Sequence, residues 1–170
     1  MTAHIKTPAT KPAIQQTASN ATTWIGNHKY DNKHTITGQT FTAPYDGDLE
    51  SIEVFVSMVT NPGNVVMTLH SFDPESRTWG PVLGTATLPF SRDDNGKWKS
   101  FPLPGLRLNK GKTFGFRLDS PTCYIGVGES VGSILSPLMI NGQEWKFTNT
   151  DQKGQSFSYF SLAFKVAVRA

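Results

Sequence analysis

The sequence has one cysteine, four histidines and no long hydrophobic run. Each shortage removes a class of function. A single Cys123 leaves no internal disulfide, so nothing requires an oxidising compartment, and its strand-like setting reads as a buried, inert thiol. No stretch approaches the roughly 20 apolar residues of a membrane-spanning helix, so no membrane span is expected. The first 25 residues hold no apolar segment that would serve as a signal-peptide core. The expected route is therefore cytoplasmic synthesis into an assembly, or release without a secretory signal. His4, His28, His34 and His70 form no HxH or HExxH pattern and none pairs with the cysteine, so no metal site and no cofactor are expected.

Catalytic motifs are missing as well. There is no GxSxG or P-loop, and "GVGES" at 126–130 lacks the third glycine and following helix of a dinucleotide fingerprint. Its glycines read instead as points where neighbouring strands come close. The "DGD" (46–48) and "DDNG" (93–96) segments lack calcium-loop spacing, and Asn95-Gly96 reads as the centre of a type I′ hairpin turn. The chain is not expected to be an enzyme, and no catalytic residue is assigned.

Charge becomes informative once it is divided. Four lysines against one aspartate place the whole net +3 on residues 1–34, while the remaining twelve basic and twelve acidic side chains cancel. A neutral domain behind a polar leader is poor evidence for a polyanion partner, so no nucleic acid is expected. Residues 1–34 read as a polar extended arm or linker and residues 35–170 as a single β-sandwich domain. As an arm, the leader would reach onto a neighbouring subunit and mediate self-association or assembly; as a linker, it would carry no contacts.

What is abundant is strand chemistry: 15 glycines, 11 prolines and an aromatic content of 11%. In "DLESIEVFVSM" the residues Ile52, Val54, Val56 and Met58 alternate with Ser51, Glu53, Phe55 and Ser57, the period of a half-buried strand. "NPGN" then turns into "VVMTLHSFD", with Val65, Met67 and Leu69 inward, and the two segments read as a hairpin. "LRLNKGKTFGFRL" reads as a second hairpin about Asn109–Gly111, and "LMING" and "EWKFTN" as short strands. His70, alternating with Leu69, is expected to point to solvent or to the other sheet face. The closing "SYFSLAFKVAVRA" puts Phe160, Leu162, Phe164, Val166 and Val168 on one face, the pattern of a mid-sheet strand. Eight to ten such strands predict an all-β fold: a two-layer antiparallel β-sandwich, jelly-roll-like, with an extended N-terminal arm.

Phenylalanines occupy strand positions, whereas tryptophans and tyrosines lie mostly at strand ends and turns. Trp79 in "SRTWGPVLG" stands next to Gly80-Pro81, a context that reads as a turn or corner. Such rings either close the end of the sandwich or stack on the apolar face of a sugar. On the second reading Trp79, Trp98 and Trp145 stack, and Arg77, Asp93, Asp94 and Asn95 bond hydroxyls.

The segments "FTAPYDGDLESIEVFV", "VVMTLHSFDPESRTWGPVLG" and "KWKSFPLPGLRLNKGKTFGFRL", spanning about residues 38–118, resemble the jelly-roll accessory modules of bacterial and phage surface proteins and carbohydrate-active proteins. The resemblance implies a non-catalytic module that binds a glycan or surface polysaccharide. The alternative, suited by the lack of a signal-peptide core, the neutral domain and the polar arm, is a structural component of a larger assembly such as a virion, tail or fibre, whose N-terminal arm mediates subunit contacts.

Overall fold

A computed structural model describes residues 12–133 and 142–170. Within them the alternating segments form thirteen strands and no α-helix. They are β1 (Pro12–Gln16), β2 (Ala21–Asn27), β3 (His34–Thr42), β4 (Gly47–Val59), β5 (Gly63–Asp73), β6 (Thr78–Phe90), β7 (Trp98–Leu108), β8 (Thr113–Asp119), β9 (Tyr124–Val131), β10 (Glu144–Thr148), β11 (Asp151–Phe157), β12 (Phe160–Leu162) and β13 (Phe164–Arg169). The strand expected over "LMING" falls on residues 138–142, of which 138–141 lie outside the described residues.

The strands form one curled antiparallel sheet in the order β1-β13-β4-β9-β2-β3-β8-β5-β6, with β7 on β4, β12 on β9, β10 on β3 and β11 on β10. Strand β4 makes the curl. Gly47–Phe55 pair with β7, whereas Val56–Val59 pair with β9. A register shift between Val56 and Met58 marks the bend, as a bulge does when it re-aims a strand. The curl brings Phe164 of β13 to 5.6 Å from Phe116 of β8 and Phe101 of β7 to 6.0 Å from Phe90 of β6. All four rings are buried, and each contributes roughly 2–3 kcal/mol of hydrophobic stabilisation.

Several expectations change with the topology. Ile52, Val54 and Val56 are buried as the alternation predicts, but the bulge flips the next pair, leaving Met58 50% exposed and Val59 buried. Strands β4 and β5 are not a hairpin, because β5 pairs with β6 and β8. Strands β7 and β8 are not one either: the turn closed by Lys112 N–H to the Asn109 carbonyl carries the chain from β4 to β3 and β5. Asn95 (φ −54°, ψ 126°) followed by Gly96 (φ 76°) makes a type II turn, not type I′, after a 3-10 turn at Arg92–Asp94.

Residues 12–34 are not a free arm. β1 pairs with β13 of the same chain, and β2 runs beside β9 and β3 with Ile25 fully buried. Their polar composition conceals strands because β1 has only Ala13 and Ile14 to set against the core. β1 also makes β13 an interior strand, flanked on its other side by β4.

Candidate functional site

Trp79 lies inside β6, paired with Phe72 of β5, and not on a turn. A bulged register between Leu69 and Phe72 lets Gly80-Pro81 run within the strand. Its indole packs on the convex face of the sheet, above Gly38 and Gly115, where a β-carbon would come within 3.1 and 2.4 Å of the ring. Phe72, Phe147 and His70 surround it at 5.5 Å and Trp145 at 5.8 Å. His70 is buried on this face, away from the core, with Nδ1 donating to the Gly80 carbonyl at 3.0 Å and Nε2 accepting from Thr68 Oγ1 at 2.8 Å. Burial, against the Gly80 hydrogen bond, holds its pKa below the ordinary histidine value.

The structure therefore brings Trp79, Trp145 and Arg77 together. Arg77 occupies the left-handed region at the β5–β6 turn (φ 55°), donates to Gln143 Oε1 at 2.8 Å and to Ser156 Oγ, and lies 5.4 Å from the Trp145 ring. Trp145 is only 5% exposed, and the indole N–H groups of both tryptophans are buried without an acceptor among the described residues. This layer is a second, convex-side core.

Trp98 opens β7, where it pairs with Phe55 of β4 at 5.5 Å between rings and lies under Lys165 Nζ at 4.2 Å. Asp93, Asp94 and Asn95 are close to it in sequence, but two of them are engaged in the fold. Asp94 accepts from Ser91 N–H at 2.8 Å and pairs with Lys99 at 3.3 Å, and Asn95 Oδ1 accepts from Val59 N–H at 2.8 Å. Burial raises the Asp94 pKa, but the Ser91 amide and Lys99 outweigh it and bring it below the ordinary value. Asp93 is exposed.

A third aromatic group, at the β2–β3 end, was missed in the sequence. Trp24 and Tyr124, on adjacent strands, stack at 4.8 Å with planes 8° apart. His28 stands edge-on to Tyr124 at 5.2 Å and to Tyr30 at 5.8 Å. Tyr30 is 87% exposed. His28, Tyr30 and Tyr124 border a depression of about 620 Å³ lined also by Asn27, Lys29, Thr60, Asn61, Thr122 and the buried Cys123, whose thiol donates to the Pro62 carbonyl at 2.8 Å. Asp31 fixes the loop by pairing with His28 at 2.9 Å and accepting from Lys33 N–H at 3.0 Å. The signal for this group is "TTWIG", an aromatic–aliphatic pair whose Ile25 belongs to the core.

Acidic groups are also buried. Glu144 of β10 has no exposure and Glu129 of β9 has 5%, with Lys146 Nζ 3.7 and 3.6 Å from them. Burial, and then the neighbouring Glu129 carboxyl, push Glu144 up to about 9. Neither acid was legible in the sequence as a core residue.

Among the described residues no helix is long and apolar enough to cross a membrane, and no three histidine, cysteine or acidic side chains gather around one point. No protein-family model matches the chain, and no curated protein shows significant similarity to it.

Proposed function

We propose that the protein is a non-catalytic glycan-binding domain that takes a sugar ring over Tyr30, His28 and Tyr124. We also read the curled sheet as a jelly-roll-like sandwich whose β2–β3 end carries the site. The observation that supports the binding site is Tyr30: its ring is 87% exposed, contributes nothing to the core, and stands beside a concavity. An amphipathic ring there gains apolar contact when a pyranose C–H face covers it. Asn61, Thr60 and Thr122 supply donors and acceptors for hydroxyls around it, the few convergent polar groups that orient a ligand. The Trp24–Tyr124 stack and the His28–Asp31 pair hold the wall in place before a ligand arrives, which reduces the ordering cost of binding.

The test is affinity for immobilised oligosaccharides before and after Tyr30→Ala. Binding lost with an unchanged melting temperature supports the reading; binding of a glycan untouched by the substitution refutes it.

A further inference from the structure

On the convex face, β8 carries a half-buried cation with no acid beside it among the described residues. The Arg117 guanidinium carbon lies 4.6 Å from the Trp79 ring centre and 4.1 Å from that of Phe147. Its Nε is buried without an acceptor, and no carboxylate among the described residues lies within ion-pair distance. Asp119, two residues along the strand, is already held by His34 Nε2 at 2.5 Å. Desolvation lowers the Arg117 pKa, which is the mark of a charge taken partly out of water without compensation.

Arg117 faces a depression of about 400 Å³, within the roughly 300–1,000 Å³ of small-molecule sites. Ile36 and Phe147 give it apolar walls, and His34, Asn149 and Gln152 give it polar ones. The rings that pack on Arg117 immobilise a planar fork suited to two parallel hydrogen bonds with a carboxylate. This depression neighbours the one beside Tyr30: Asn27, on the wall of the first, bonds His34 Nδ1, on the wall of the second, at 2.7 Å.

We propose that this second depression receives the carboxylate of an acidic sugar unit, with the two terminal Nη groups of Arg117 as its bidentate partner, so that the ligand class is a carboxylated glycan. The assignment rests on the glycan reading above and names its chemistry. Lys29, on the wall of the first depression, adds positive charge on the same approach.

The test is a titration of the ¹⁵N-labelled full-length protein, following the Arg117 Nε–H resonance and the Tyr30 ring signals. The probes are trigalacturonic acid, glucuronic acid and their uncharged methyl esters. Arg117→Lys identifies the resonance. Binding at the Nη groups perturbs the whole guanidinium, so the acids are expected to shift the Nε–H signal and the esters to leave it in place, with affinity for the acidic trimer about tenfold lower in Arg117→Lys. Gln152→Ala, on an exposed rim position, gives a smaller loss in the same direction without touching the aromatic layer.

If the Tyr30 ring responds to acid and ester alike while Arg117 is silent, the glycan reading stands and the acidic-sugar assignment fails. If neither responds, both fail. An Nε–H shift produced equally by the esters, or by a sulfated sugar in place of the acids, also overturns the carboxylate assignment.

Discussion

The indole of Trp79 rests on Gly115, so closely that a β-carbon at that position would stand 2.4 Å from the ring. The convex aromatic layer therefore depends on a residue with no side chain. Gly115→Ala is expected to cost about 2 kcal/mol by overpacking, whereas Gly84→Ala, whose β-carbon meets only Leu103 at 3.5 Å, stays within about 0.5 kcal/mol. Denaturant unfolding of the two variants checks the difference; equal stabilities would mean that the layer is not packed as described.

Truncation separates β1 from β2. Removing residues 1–16 takes away an edge strand with two partly buried apolar residues and is expected to leave a folded protein with a lower melting temperature. Removing residues 1–34 also deletes β2 and the fully buried Ile25 from between β9 and β3, and is expected to abolish cooperative unfolding. Circular dichroism melts of both fragments decide it. A folded 35–170 fragment would contradict the placement of β2.

The buried acid makes stability depend on alkaline pH. Glu144 keeps its proton in the fold up to about 9, while in the unfolded chain it loses it near the ordinary carboxylate value. Between those two values the native state binds the extra proton, so its stabilising effect is complete in acid and is lost as pH rises through the folded value. Glu144→Gln is expected to remove this loss and to raise the melting temperature most at pH about 9. Melting curves at several pH values measure it; a wild-type curve that gains stability across that window would contradict the assignment.

The limits of the sequence show at Met58. Strict alternation places it with Ile52, Val54 and Val56, and it would be buried if β4 were straight. A bulge is a tertiary feature, needed here to pass β4 from one set of partners to another, and no local residue announces it. Gly126 and Gly128 were readable for the opposite reason: a glycine in a strand signals a close neighbour, and β-carbons there would meet Thr22 at 2.6 Å and Ser19 at 2.5 Å.

Trp79 was readable only in part. Gly80-Pro81 is a break in most strands, and the bulged pairing with β5 that accommodates it is set by distant chain. The aromatic group at the β2–β3 end was hidden by composition, since Trp24 and Tyr30 sit in a segment whose lysines and polar residues resemble a leader. Its partner Tyr124 is supplied by a strand one hundred residues later in the chain.

Glycan binding through the Tyr30 depression is the central claim, and the most direct test is an oligosaccharide array probed with the full-length protein beside Tyr30→Ala. The account predicts that the wild-type protein retains a defined set of glycans and that Tyr30→Ala, equally stable, retains none of them. An array on which the wild-type protein binds nothing, or on which both proteins bind alike, would contradict it.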